Sequence, residues 1–483
     1  MKSIFKYFLV SLVLMSSASC SDYLDVKTEG ELPSEDFFLT ANDAVASVNS
    51  IYAHQRGWNM VAFAWIAVQS LTGDEALKGS AVGDASFLND YTMFRYTPSS
   101  GDIGGYWEGR YKGINLCNQV LGNVPNIDMD ENLKSRLLGE AKFQRALFYF
   151  DLVRAFGDIP MPLTVDGALE ASVIRTPKEV VYEQIISDLT DAISSLPSRY
   201  SGIDLGRANQ GSARGLLAKV YLYLKNWDKV LEQTNALAGM GYDLVPSFYD
   251  AFRIPTENGI ESIYEIQAFS VEGDWDLSSS QYGECQGIRG DGGVGWGFNI
   301  PSDELANDFD AAGDAIRKKV TILYKGDVIE PGDTVVGVGI GELDGVEIPR
   351  WNGKVHVPVS QREGGPGNVN QNMRVLRYAE ILLIDAEARL NKGDVAGAAI
   401  SLNRVRARVE LPAIAQPTIE DVWNERRLEL AMEGDRFFDL VRTDRAVERL
   451  GARGFVKGKN EVFPIPQTVM ETTNFVLEQN PGY

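Results

Sequence analysis

Two stretches decide the fold: residues 212–233, SARGLLAKVYLYLKNWDKVLEQ, and residues 377–408, RYAEILLIDAEARLNKGDVAGAAISLNRVRAR. Each reads as two amphipathic helices with a short break between them, at Asn226 in the first and at Gly393-Asp394 in the second. Small and apolar residues recur where two antiparallel helices would nest, the pattern of tetratricopeptide-like stacking. The first stretch predicts helices near 210–225 and 227–238, with Asn226 as a cap. The second predicts helices near 373–391 and 394–409, and another is expected from Thr418 to Met432.

The same period extends toward the N-terminus. Trp107, Tyr111, Ile114, Cys117 and Leu121 share one helical face, as do Leu133, Leu137, Ala141, Phe148 and Leu152. Thr176-Pro177-Lys178-Glu179 has the form of a capping box with Pro at the first helical position, which predicts a helix over 177–196. The expectation is a mainly α protein in which about four tetratricopeptide-like helix pairs form a scaffold. Their irregular spacing in sequence marks a scaffold with insertions.

Residues 240–370 break the pattern with Gly, Asp and aromatics. A short β-like run stands at Ser262-Ile263-Tyr264-Glu265-Ile266. The run GECQGIRGDGGVGWG, residues 283–297, is expected to lack regular structure, its glycines implying tight backbone close to something it contacts. It is a weak phosphate loop, because no strand–loop–helix frame surrounds it and no Gly-Lys-Ser/Thr follows. Asp291 among those glycines lacks the oxygen-ligand spacing of a calcium loop. The expected organisation is a helical region over 41–240, a loop-rich insert over 241–372, and a C-terminal helical region with an extended tail over 373–483.

The chain opens MKSIFKYFLVSLVLMSSASC, residues 1–20. Lys2 and Lys6, a short apolar core and the small residues Ser17, Ala18 and Ser19 form a signal peptide over 1–19. The core is too short to span a bilayer, which takes roughly 20 apolar residues. Cys20 at the junction resembles the lipobox of bacterial lipoproteins, in which the thiol is acylated; residues 20–40 are then the lipidated Cys and a tether. Two or more acyl chains anchor a soluble body stably.

Of 483 residues, 44% are hydrophobic and 23% charged, which is ample for a large core. The net charge of −21 excludes nucleic acid as a partner, since phosphate binding needs a concentrated basic surface. Beyond Cys20, the cysteines Cys117 and Cys285 either pair or stay buried as thiols, and Cys117 lies on an apolar helical stripe. The two histidines, His54 and His356, stand in no catalytic or zinc motif. No metal, cofactor or catalytic residue is expected.

Four segments carry a family resemblance: KFQRALFYFDLVRAFGDIPMPL (142–163), MRVLRYAEILLIDAEARLNKGD (373–394), ERRLELAMEGDRFFDLVR (425–442) and VFPIPQTVMETTNFVLEQNPGY (462–483). In this order, with the lipobox and the opening CSDYLDVKTEGELPSEDFF, they resemble the SusD/RagB family along essentially the whole chain. The resemblance implies a lipid-anchored outer-membrane protein, facing the cell exterior, that captures nutrient and caps a TonB-dependent transporter of the SusC type. It implies a binding protein without catalysis, whose scaffold faces the transporter and whose inserted loops hold the ligand. Glycan is the expected ligand; a peptide ligand, and a surface polysaccharide-degrading enzyme, are the alternatives.

The residues themselves suggest structural roles for parts of these segments. Glu425, Glu429 and Glu433 lie at i+4 spacing with arginines between them, expected to give local ion pairs. Gly434 is expected to end a helix, and Asp435 to cap the turn from Arg436 to Val441. Arg436 and Asp439 read as a structural ion pair. The prolines of Phe463-Pro464-Ile465-Pro466 and Asn480-Pro481-Gly482-Tyr483 forbid helix, so those runs should lie extended against the body.

Sugar capture needs flat aromatic faces beside rigid polar groups. Two loops offer both. The first, 72–96, supplies Asp74, Asn89, Tyr91 and Tyr96, with Glu75, Asp84 and Arg95 nearby. The second, 275–299, supplies Trp275, Tyr282, Arg289 and Trp296, with Asn299 nearby. Trp58 and Trp65, close to a helix over 41–55, are expected in the core.

Overall fold

The computed structural model describes residues 37–269, 281–290, 295–337, 341–343, 346–362 and 370–483. The signal peptide, Cys20, the tether, Trp275 and Asp291 lie outside the described residues. The scaffold is built from α1 (Ala41–Gln55), α2 (Gly101–Asn123), α3 (Glu131–Phe156), α4 (Lys178–Ser195), α5 (Gln210–Tyr223), α6 (Trp227–Ala238), α7 (Tyr378–Asn391), α8 (Val395–Arg408) and α9 (Ile419–Glu429). Each of α1 to α8 packs on its successor, giving the pairs α1/α2, α3/α4, α5/α6 and α7/α8, with α9 laid on α7. The protein is mainly helical, as its periodicity implies.

Local chemistry sets many of the helix starts. Thr40 and Asp43 close a capping box on α1, as do Asn209 with Ser212 on α5 and Thr418 with Asp421 on α9. Asp130, Asn226 and Asp394 each accept a backbone N–H at the start of α3, α6 and α8. Such a cap contributes about 1 kcal/mol and fixes where the helix begins. Thr176 does not cap α4. Its backbone pairs with Ile159 in an isolated bridge, and Asp158 Oδ1 instead accepts the Lys178 N–H at 2.9 Å.

α6 and α7 touch although residues 239–377 intervene. The chain returns through the strand Met373–Arg377, antiparallel to Ser262–Ile266. The helix expected from 373 therefore begins only at Tyr378, because the strand offers the backbone of 373–377 a partner that helical periodicity does not reveal. A second pair joins Ala76–Gly79 to Phe298–Pro301 in the register Ala76↔Pro301 and Gly79↔Phe298. This pair ties the insert to the N-terminal half. The tail runs extended at Phe463–Pro466, turns through the helix Gln467–Thr472, and docks when Asn480 Nδ2 donates to the carbonyls of Phe156 and Phe463. Cys117 and Cys285 are both buried free thiols.

The middle of the body is held by charge as well as by apolar burial. α9 ends at Glu429, three residues short of the expected Met432, and the chain turns through Met432 (φ 67°) and Gly434 (φ 92°). A Cβ on Gly434 would stand 2.5 Å from Trp65 Cζ2, so that turn needs glycine. The carboxylates around it pair with distant cations and not with the local arginines. Glu429 receives Arg317, Arg377 and Arg408, Glu425 receives Arg317 and Arg406, and Glu433 receives Lys354 and Arg377. Asp435 makes no cap; its side chain is taken by Arg154 and Lys219. Arg436 and Asp439 are structural but not partners: Arg436 binds Asp74, and Asp439 binds Arg426 and Arg442.

Candidate functional site

α1 stops at Gln55, and after Gly57 the chain enters a new helical turn, Trp58–Val61. That restart takes Trp58 off the apolar stripe of α1 and leaves its indole 42% exposed. Trp65, seven residues later, is buried, so the two tryptophans expected in the core part company. Phe63 stands beside Trp58 with ring centroids 5.1 Å apart. Trp296 arrives from the insert, 5.8 Å from Trp58 with the rings inclined at 43° and 6.1 Å from Phe63. Phe87 lies on the far side of Phe63 at 6.3 Å, and Phe298 supports Phe63 from below at 4.8 Å. Trp58, Trp296 and Phe87, all exposed, thus form an inclined aromatic platform over a Phe63–Phe298 floor.

The glycine-rich run builds one wall of this platform. Gln281–Gln286 is a helical turn, so the first part of the run is more regular than expected. The chain then crosses itself. Gly295 N–H bonds the Ile288 carbonyl, Trp296 N–H the Glu284 carbonyl at 2.8 Å, and Gly297 N–H the Gly287 carbonyl. A Cβ on Gly295 would collide with the Gly287 backbone, which explains the glycines as a requirement of backbone crossing. The Glu284 carboxyl, pushed up by burial, also accepts a hydrogen bond from the Trp296 side chain. The indole is therefore held at its edge while the residue stays 37% exposed.

A polar rim stands next to the rings. Arg289 bridges Asp84 and, at 2.8 Å, the Ser80 hydroxyl. Lys78 donates to the carbonyls of Ala81 and Asp84, both at 2.8 Å. Two residues before Trp58 in sequence, the Arg56 guanidinium covers the exposed Phe269 ring at 3.9 Å. Flat faces, anchored rings and charged or hydroxyl groups in one shallow surface suit an uncharged ligand with apolar faces and hydrogen-bonding edges.

The structure brings together only some of the residues singled out from sequence. Trp296 and Arg289 sit at the platform. Tyr91 and Tyr96 stack on each other at 5.5 Å inside the core, with Tyr96 facing Tyr483 of the tail. Tyr282 is buried edge-on to Trp65 at 5.3 Å. Asp74 is buried among Arg427, Arg436 and Arg449, and Glu75 beside it accepts the Met432 N–H. Asn299 is fully buried between Ser70 and Gln286. Asn89 opens a short turn and is half-buried, and Arg95 pairs with Asp90 on the surface. Buried as they are, Asp74, Glu75, Tyr91, Tyr96, Tyr282 and Asn299 present no face to a ligand at the platform. Phe87 and Trp58 were missed. Phe87 is the aromatic residue of the glycine-containing loop 80–90, which is the signal that marks it.

Comparison with known proteins places this geometry. Residues 22–222 match a family described as "Starch-binding associating with outer membrane", and residues 351–483 match "SusD family". A solved "Laminarin binding SusD-like protein" is 30% identical, with a TM-score of 0.79 over 92% of this chain and 100% of its own. The chain belongs to the SusD family. "SusD-like protein P2" of Formosa agariphila is 28% identical over 99% of this chain and 100% of its own length. "Surface glycan-binding protein A from Bacteroides thetaiotaomicron in complex with laminarihexaose", at 21% identity and a TM-score of 0.78, shares the fold. The two SusD-family matches leave residues 223–350 uncovered, and Trp296 and Arg289 come from that span.

Among the described residues no group of His, Cys, Asp and Glu could hold a metal ion, and no helix is long and apolar enough to cross a membrane. His54 bonds the Gly109 carbonyl and His356 bonds Asp333.

Proposed function

We propose that the protein captures glycan on the Trp58–Phe63–Phe87–Trp296 platform and hands it to a SusC-type TonB-dependent transporter, held at the outer surface by lipid on Cys20. The observation that carries the reading is the inclined pair of exposed tryptophans, Trp58 and Trp296, with ring centroids 5.8 Å apart. Pyranose rings present an axial C–H face that stacks on an aromatic ring, and their equatorial hydroxyls then reach a rim such as Arg289 and Asp84. The laminarin-binding relative supports a β-glucan as the first ligand to try. The protein is read as a binding protein that leaves its ligand intact: its SusD-like relatives bear binding names, and both histidines are engaged elsewhere.

Calorimetry against laminarin and a panel of other polysaccharides tests this on the wild type, Trp58→Ala and Trp296→Ala. Each stacking contact should contribute about 1–2 kcal/mol, a roughly five- to thirtyfold loss per variant. Full affinity in both variants, with circular dichroism showing them folded, would remove the platform from the binding reaction. Shortened oligosaccharide after long incubation would overturn the non-catalytic reading.

A further inference from the structure

A groove of about 990 Å³ lies next to the platform, between the exposed face of α2, the 160–172 segment and the C-terminal helix Gln467–Thr472. Trp107 and Tyr111, with rings 4.8 Å apart, form part of its wall. Hydroxyls and carboxamides of Ser99, Asn115, Gln467 and Thr468 line the rest, with Glu108 and Lys112 as its charged groups. This volume is at the top of the roughly 300–1,000 Å³ range that encloses a small-molecule ligand.

Two features tie the groove to the platform. Asn59 lines it, while its neighbour Trp58 forms the platform. The 58–61 turn lies directly on α2: Arg110 Nη1 donates to the Asn59 carbonyl at 2.8 Å, and a Cβ on Gly105 would stand 2.9 Å from Asn59 Oδ1. Trp58 and Asn59 are consecutive in that turn, so the platform and the groove meet at the same short segment of chain.

The floor carries the argument. Gly101 and Gly104 sit on α2 in the groove, and a Cβ on either would meet nothing within 4 Å. Glycine inside a helix is unfavourable relative to alanine, and Gly104 spares no clash within the fold. Its missing side chain instead leaves open space over the helix, where a ligand could approach the backbone.

We infer that the groove continues the glycan site, so that the platform and the groove together bind one long oligosaccharide chain that passes Asn59. This rests on the glycan-capture reading above. The aromatic walls, neutral hydrogen-bonding groups and open floor suit successive sugar units, and one acid, Glu108, balanced by one base, Lys112, argues for a chain without net charge.

The test uses a size ladder of laminarin oligosaccharides, from the disaccharide upward, with calorimetry on wild type and Gly104→Trp. The substitution fills the groove floor at a position where tryptophan favours helix more than glycine does, so the melting temperature should hold or rise. Wild-type affinity should climb with chain length. Gly104→Trp should bind the longest member about tenfold more weakly, and the disaccharide within about twofold of wild type. Gly104→Ala, with little bulk, should bind the whole ladder as wild type does. An affinity that stops rising at the shortest ligands, or a Gly104→Trp profile equal to wild type at every length, would overturn the extension and leave the platform standing. Failure of the wild type to bind laminarin oligosaccharides or any polysaccharide of the panel would overturn capture itself, and the extension with it.

Discussion

Asp74→Asn gives a direct measure of what holds the centre of this body. Asp74 is 2% exposed, and its carboxylate takes four charge-assisted hydrogen bonds. Arg427 Nη1 and Arg436 Nε reach Oδ1 at 2.5 and 2.7 Å, while Arg436 Nη2 and Arg449 Nε reach Oδ2 at 3.0 and 2.7 Å. The amide keeps the shape but removes the charge and turns one acceptor into a donor facing a guanidinium. Removing one partner of a buried ion cluster costs about 3–5 kcal/mol, because the opposite charges stay buried and unpaired. Arg427 and Arg449 keep Asp308 as a partner and Arg449 is partly exposed, so the full penalty falls on buried Arg436 and the loss should lie at the lower end of that range. Urea unfolding at neutral pH should show the loss as a lower midpoint with an unchanged slope. Burial pushes the Asp74 carboxyl up, but the three guanidiniums outweigh it and hold it far below the ordinary value of 3.8. The stabilisation is therefore present above that value and lost as pH falls toward the folded-state value. The gap between variant and wild type should narrow only in acid. A loss under about 1 kcal/mol at neutral pH would refute the reasoning. So would a selective loss of glycan affinity in folded Asp74→Asn, since Asp74 lies off the platform.

Glu75, fully buried beside Asp74, is raised by burial from 4.5 to about 7. Its stabilising contribution is complete below 4.5 and lost as pH rises through 7, so Glu75→Gln should gain up to about 3 kcal/mol on wild type between pH 4.5 and 8. Unfolding midpoints of the two proteins that stay parallel across that interval would contradict it. Cys20→Ala should release the protein from membranes in cells lacking the transporter partner, and continued membrane fractionation there would place the anchor elsewhere.

The helices were legible because their information is local: a stripe with a period of 3.6 and a capping residue lie within a few positions of each other, as at Asn226 with α6 and Thr418 with α9. What failed to show in sequence depends on partners far along the chain. Residues 373–377 are a strand because Ser262–Ile266 lies alongside. Asp74 in a polar loop resembles a ligand contact until Arg427 arrives from 353 positions away. Tyr96 reads as an exposed loop aromatic until Asn460 and Tyr483 cover it. Trp58 erred the other way, because its burial depended on whether α1 continued, and Gly57 stops it. At the platform, Trp296 could be picked out from sequence because aromatics in a glycine-rich stretch are few. Phe87 could not be linked to it without the fold.

The insert does not merely hang from the scaffold between α6 and α7; it brings the cations that the scaffold's acids require. Arg317 and Lys354 come from the span between those helices, and they meet Glu425, Glu429 and Glu433 of the C-terminal part. Exchanging this span for one from another SusD-like protein, to graft a new specificity, would therefore need more than matching ends. A donor segment without basic residues at these two places would leave Glu425 with Arg406 alone, Glu433 with Arg377 alone and Glu429 with Arg377 and Arg408, and the under-compensated buried carboxylates would destabilise the body however well the donor's own loops were formed. The ion cluster acts as a password between two separately variable parts, admitting only inserts that carry the matching charges.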